Sequence, residues 1–299
     1  RNYAFVFIKP HANTGQTRSL VGDTLRKKGV RVLSEGEITA EQIDTNMYID
    51  QHYYAIASKA TILKPDALEP KSFEGKFEDK FKETWSDALK TNKLYNALDA
   101  KSYFGVDTAG ITAIWDKAAK DKNIVKLGGG FYCGKLEVPG KAPIYVLNGF
   151  FMSMRNQFVI PGTSIHYYNV EFDPAELKWG DFRGKVLGPT NPADAPADSL
   201  RGVIFKDWKQ LGLKSVPNTG DNGVHASASP FEGLAERNNW LNVPAEADLF
   251  GARLIAETGI SKEKIAAWSV DPQVNGKSIF DQLEDTDSAE CIDRMKKLM

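Results

Sequence analysis

At 299 residues, 26% charged and 42% hydrophobic, the chain has the balance of a globular protein, long enough to bury a sizeable core in one or two domains. A formal net charge of −1 excludes a bulk field drawing it to nucleic acid or to an anionic membrane, and no apolar run approaches the ~18–20 residues that cross a bilayer. Cys133 and Cys291 lie far apart and outside any CxxC pair, which excludes a disulfide framework and a structural zinc site and leaves no metal constellation to expect. The expected setting is the cytoplasm or another reducing compartment. Arg1 is no initiator methionine, so a processed N-terminus that once carried a targeting signal fits this start.

Residues 3–8 (Tyr-Ala-Phe-Val-Phe-Ile) form an almost wholly apolar run ending at Lys9-Pro10. Such a run reads as a strand buried on both faces whose end delivers a lysine. Leu20, Val21, Thr24 and Leu25 share one face of a helix over 17–28, which Gly29 stops. A second strand follows at 30–33. Thr39-Ala40-Glu41-Gln42 is a capping box that opens a helix predicted to run on through Ile49, His52 and Tyr53.

From about residue 60 the texture changes. Phe73, Phe77, Phe81, Trp85 and Leu89 recur at intervals of four, the stripe of an amphipathic helix, with Lys76, Glu78, Asp79, Lys82 and Glu83 on its other faces. Ile111, Ile114, Trp115 and Ala118 predict another helix, so this stretch reads as an inserted subdomain. Within it, Gly129 to Lys135 imitates a phosphate-binding P-loop, but Leu136 stands where that loop needs Ser or Thr. A Gly-rich turn between strands is the expectation there. Strand character returns at 144–147 and 164–172. Asp173-Pro174 is predicted to start a helix, a Pro/Ala/Asp-rich loop spans 190–199, and Ser229-Pro230-Phe231-Glu232 caps a further helix. After Leu241 the chain reads mainly as helix.

The chemistry concentrates in Asn222-Gly223-Val224-His225-Ala226-Ser227-Ala228-Ser229. A histidine ending a strand presents a ring nitrogen to a pocket, and the helix opened by Ser229 favours an anion nearby. Glu236 lies about two turns into that helix, within reach of the imidazole, whose tautomer it would set. By residue type alone, two readings stay open: a nucleophile toward phosphorus, or a histidine hydrogen-bonded in a loop beside a solvated glutamate.

This stretch resembles the active-site signature of nucleoside diphosphate kinases, Asn-x-x-His-Gly-Ser-Asp-Ser followed by a helix carrying a glutamate. Two further blocks are similar to that family. The loop 190–194 through Leu200-Arg201-Gly202 is one, and Phe7-Ile8-Lys9-Pro10 with Gln51-His52-Tyr53 is the other. Together the likeness covers residues 1–56 and roughly 162–241. It implies a phosphohistidine at His225 oriented by Glu236, with Lys9 and Arg201 neutralising the transferring group and Thr190 binding phosphate oxygens. It also implies that Asn222 and Lys9 meet the sugar hydroxyls, and that Tyr53 and Ser227 complete the hydrogen bonding around the ring. Magnesium (Mg2+) would arrive with the nucleotide and need no carboxylate cage. The implied partners are nucleoside di- and triphosphates, with assembly as a homo-oligomer or, through the insertion, into something larger.

Departures are equally legible. Ala226 and Ala228 stand where the signature has glycine and aspartate, and His11 follows Lys9-Pro10 in place of aspartate. Gly184 occupies the position of a phosphate-binding arginine, with Arg183 or Lys185 beside it to serve instead. No base-stacking aromatic follows Tyr53 at the family's spacing, and residues 206–221 read as an extra loop.

The expectation is an α+β fold, a ferredoxin-like, four-stranded antiparallel sheet with helices on one face, plus an inserted, mainly helical subdomain. The boundaries are 1–59 and 151–245 for the two parts of the core, 60–150 for the insertion and 246–299 for a helical extension. The expected function is phosphoryl transfer between nucleotides. The other reading is a non-catalytic, nucleotide-binding or structural subunit, favoured by the insertion, the extension and the altered nucleobase site.

Overall fold

The computed structural model describes residues 1–299. The chain divides into two compact units, residues 1–48 with 160–299, and residues 49–159.

The first unit is built on a four-stranded antiparallel sheet. In chain order its strands are β1 (Asn2–Ile8), β2 (Arg31–Thr39), β3 (Ser164–Phe172) and β4 (Val224–Ala226), and across the sheet they lie β2-β3-β1-β4. β1 pairs along its whole length with β3, from Asn2 opposite Phe172 to Ile8 opposite His166. Such a central position is what a run with no polar face requires. α1 (Gly15–Lys27) joins β1 to β2, with Thr14 accepting a hydrogen bond from the Thr17 backbone as its N-cap. The capping box at Thr39 and Gln42 is present, but the helix it opens ends at Asn46, because Met47 takes a left-handed conformation.

Alternation along β1 sends side chains to two different cores. Ala4, Val6 and Ile8 pack with Val21 and Leu25 of α1 and with Leu200 and Ile204 of α2 (Leu200–Lys206). Phe5 and Phe7 point the other way, toward α3 (Pro230–Leu241), whose Trp240 ring lies 6.5 and 5.4 Å from theirs. Helices therefore cover both faces of the sheet, not one as the sequence suggested. Each fully buried phenylalanine contributes about 1.5–3 kcal/mol of burial, and a strand apolar on both sides is stable only when both faces are covered.

The C-terminal segment folds back onto α3. Phe231 and Leu234 form a core with Phe250 and Leu254 of α4 (Leu249–Thr258), with Ile279 and Leu283, and with Cys291, Ile292 and Met295 of α5 (Ser288–Leu298). The anticipated helix at Asp173 is a turn: its carboxylate accepts the Ala175 N–H, and helix resumes only at Trp179.

The second unit holds a four-stranded sheet of its own beside its helices, in the order Leu94–Asn96, Ile144–Leu147, Phe131–Leu136, Ile124–Gly128. Of the P-loop imitation only Gly129 and Gly130 form the turn between the last two strands, and its remainder to Lys135 lies in the strand Phe131–Leu136. The aromatic stripe is core, with Phe73, Phe77 and Trp85 buried, but it does not ride on one helix. Lys82 adopts φ 57°, ending Glu74–Phe81, and Thr84 caps a new helix, Trp85–Lys90. The edge-on contacts of Phe77 with Trp85 and Tyr145, at 5.3 and 4.9 Å, hold the two pieces in one cluster.

Candidate active site

His225 is the middle residue of β4 and faces Phe7 across the strand pair. It therefore shares the face of β1 that looks toward α3, and its ring stands 4.8 Å from that of Phe7. Gly223 precedes the strand at φ 92°, a region open to glycine. Its N–H donates to His11 Nε2 at 3.0 Å, while its carbonyl accepts the Lys9 N–H at 2.9 Å. Those bonds bring the end of β1 alongside β4, and the lysine after the strand arrives beside the histidine. Ala226, where the resembled signature has glycine, sits in regular strand with its methyl in the sheet core, so its Cβ meets no backbone strain.

After β4, Ser229 caps α3 by accepting the Glu232 N–H at 3.1 Å, and Pro230 occupies the first turn. Two turns on, Glu236 is buried, 5% exposed, and its Oε2 lies 2.5 Å from His225 Nε2. Burial, then the positive charges of Lys9, Arg201 and Arg183, hold the His225 pKa well below its ordinary value. That direction favours the neutral ring. A carboxylate can only accept, so the arrangement assigns the ring proton to Nε2 and the lone pair to Nδ1.

Lys9 donates from Nζ to the Gly220 carbonyl at 3.2 Å. Burial foremost, and then Arg201, lower its pKa to about 8 against the opposing pull of Asp221. Burial also lowers that of His11, again opposed by Asp221 and assisted by Lys9. Arg201 lies on α2, whose N-cap is Ser199; its Nε and Nη2 donate to the Val224 carbonyl and its Nη1 to that of Gly188, at 3.3, 2.9 and 2.8 Å. Asn222 is buried. Its Nδ2 donates to the Thr190 carbonyl at 3.0 Å, while its Oδ1 is enclosed without a hydrogen-bond partner. Thr190 itself is exposed.

Three of the sequence candidates stand differently. Ser227 is fully buried, with its hydroxyl accepting the Phe5 N–H and donating to the Phe5 carbonyl, so it stitches β1 to the segment after β4. Arg183 is clasped by Glu284 and Asp285 at 2.7 and 2.9 Å. Tyr53 belongs to the second unit, edge-on to His52 at 4.7 Å.

Sequence reading passed over Asp221 and the Glu284/Asp285 pair, and took Glu232 only as part of a helix cap. Glu232 was within reach, as the glutamate three residues after a capping serine. Its Oε1 accepts the Ala228 N–H, and burial, then the neighbouring Glu236 carboxylate, push its pKa well above the usual carboxylate range. No comparable local signal marks the others.

What the arrangement can do chemically is present a neutral imidazole, oriented by a buried carboxylate, in a field of three cations. No family model matches the chain, and no curated protein matches it. Among solved structures it is similar to a nucleoside diphosphate kinase from Encephalitozoon cuniculi at 12% identity, over 83% of this chain and 92% of that one, with a TM-score of 0.40. A nucleoside diphosphate kinase family protein from Babesia bovis follows at 14% identity, 85% and 99% coverage and a TM-score of 0.35. An NDP kinase from Pyrobaculum aerophilum stands at 15%, 80% and 94%, also with a TM-score of 0.35. These structural neighbours are distant likenesses.

Proposed function

We propose that this chain moves a phosphoryl group from a nucleoside triphosphate to a nucleoside diphosphate through a phosphohistidine at His225. The observation that carries this reading is the 2.5 Å contact of His225 Nε2 with the buried Glu236, within the field of Lys9, Arg201 and Arg183. The Nδ1 lone pair attacks the terminal phosphorus, an N–P bond forms, and the P–O bond to the leaving diphosphate breaks with its electrons remaining on oxygen. Positive charge developing on the ring is met by Glu236, and negative charge on the phosphoryl oxygens by Lys9 and Arg201. A terminal oxygen of the acceptor diphosphate then displaces the imidazole. The orphaned Asn222 Oδ1 suits a hydroxyl donor such as a sugar offers. Magnesium enters as part of the nucleotide substrate. The strand order β2-β3-β1-β4, with β3 between the two strands that α1 connects, supports a ferredoxin-like assignment for the first unit.

Incubation with γ-labelled ATP should give an acid-labile, base-stable label that His225→Ala abolishes. The second reading, a nucleotide-binding subunit without turnover, is favoured by the engagement of Arg183 with carboxylates and of Arg201 with carbonyls. Nucleotide binding without label would establish it instead.

A pH profile tests the role of Lys9. The cation is needed for phosphate, and its pKa stands at about 8 in the free protein, so kcat/KM for nucleotide falls as pH rises through about 8. Lys9→Met should lower the plateau and remove that alkaline limb. Persistence of the limb in the variant would assign it to another group.

A further inference from the structure

Arg183 is the third cation in the field of His225, and the C-terminal segment already holds it. Its Nη1 donates to Glu284 Oε1 at 2.7 Å and to Asp285 Oδ1 at 2.9 Å. The same segment touches the histidine loop directly, with the Asp285 N–H donating to the Ala228 carbonyl at 2.9 Å. Two carboxylate oxygens on the one nitrogen Nη1 supply negative charge where a phosphate would meet the guanidinium, without closing its two-nitrogen fork.

The backbone carrying these acids is pinned on both sides. Leu283 before them and Thr286 and Ser288 after them are buried. Asp287 Oδ1 accepts from Asn2 Nδ2 and from the Trp179 N–H, both at 2.8 Å, and the Ser288 N–H donates to Asn2 Oδ1, also at 2.8 Å. Asp285 itself holds φ 59°, a conformation that Asp tolerates better than most residues and that surrounding contacts must impose. The two carboxylates, by contrast, are each 46% exposed. Ion pairs of that exposure are weak, so a multiply charged phosphate can displace them while the pinned backbone stays in place.

We propose that Glu284 and Asp285 form a built-in competitor for nucleotide phosphate: their carboxylates hold Arg183 and yield it to the phosphates of an entering nucleoside diphosphate or triphosphate. This rests on the phosphotransfer reading above. The acids act as a threshold on nucleotide affinity. Anything that draws the segment 283–288 away from the Ala228 loop raises that affinity, and anything that reinforces the clasp lowers it.

The test is calorimetric titration of the full chain with magnesium-ADP, beside His225 labelling from γ-labelled ATP. Glu284→Gln with Asp285→Asn should tighten magnesium-ADP binding about five- to ten-fold. In an Arg183→Gln background the same pair of substitutions should bring no gain, because the shared target is gone. Glu290→Gln with Asp293→Asn changes net charge equally on α5, where these acids pair with Arg294 and Lys297, and should leave affinity unchanged. Melting temperatures report whether each variant folds, and Asp285→Asn alone serves if the double variant does not. Unchanged or weaker affinity in the tail variant, with His225 labelled in both proteins, overturns the competitor and leaves phosphotransfer standing. An equal gain from the α5 control, or a gain that survives Arg183→Gln, also overturns it, by showing a general charge effect. Absence of label and of binding in the wild-type and tail-variant proteins overturns both.

Discussion

Replacing Glu236 with Gln is expected to slow phosphorylation of His225 by about 10²–10³-fold, the range for removing a preorganised electrostatic partner of a transition state. The substitution keeps the shape of the side chain and an oxygen able to accept the Nε2 proton. What it removes is the negative charge 2.5 Å from the ring. As Nδ1 bonds to phosphorus, the imidazole becomes cationic inside a site already holding Lys9, Arg201 and Arg183, whose charges disfavour that cation together with burial. Water cannot screen the repulsion where the carboxylate is buried, so the loss falls on the rate more than on nucleotide affinity. The protein should remain folded, since the same change relieves the carboxylate repulsion that helps push Glu232 upward. Single-turnover labelling with γ-labelled ATP measures the rate, and an unchanged rate at unchanged affinity would remove Glu236 from the mechanism.

Asp248→Ala is expected to destabilise the first unit by about 3–5 kcal/mol, the cost of leaving a buried charge without its partner. Arg237 and Asp248 are each 3% exposed and meet in a two-pronged bond, Nε to Oδ2 at 2.5 Å and Nη2 to Oδ1 at 3.1 Å. Arg237 also donates from Nη1 to the Tyr3 carbonyl at 3.2 Å, and Asp248 Oδ1 accepts the Phe250 and Gly251 N–H groups as the cap of α4. One pair thereby joins β1, α3 and α4. Asp248→Asn keeps a capping side chain but not the charge and should cost less than the alanine. Urea denaturation gives the difference directly. A loss below about 1 kcal/mol, the value for an exposed pair, would show that Arg237 finds another anion or water. Because Arg237 follows Glu236 on α3, the loss should also appear in the labelling rate near the unfolding midpoint.

The sequence by itself determined the features set by short-range bonding and periodicity. Residues 3–8 read as a strand buried on both faces because no polar face alternates with the apolar one. The caps at Thr39 and Ser229 were visible because a capping hydrogen bond spans only three residues. One short strand end and two turns of the helix after it put Glu236 within reach of His225, while residue type alone left a solvated glutamate open until the structure closed the contact. Lys82 broke a stripe that looked continuous, and Thr84, a cap residue in plain view, was the local sign of it. Tertiary structure alone decided the rest. Lys9 reaches His225 through the antiparallel register of β1 with β4. The return of the C-terminal segment gives Arg183 its two carboxylates, and the folding of α4 onto α3 gives Arg237 its partner. Trp240 on the far face of β1 turned a one-sided sheet into a covered one. Contacts between residues distant in the chain leave no periodicity to read, because they depend on where whole elements pack; a charged side chain looks the same in sequence whether it meets a phosphate, a carboxylate or water.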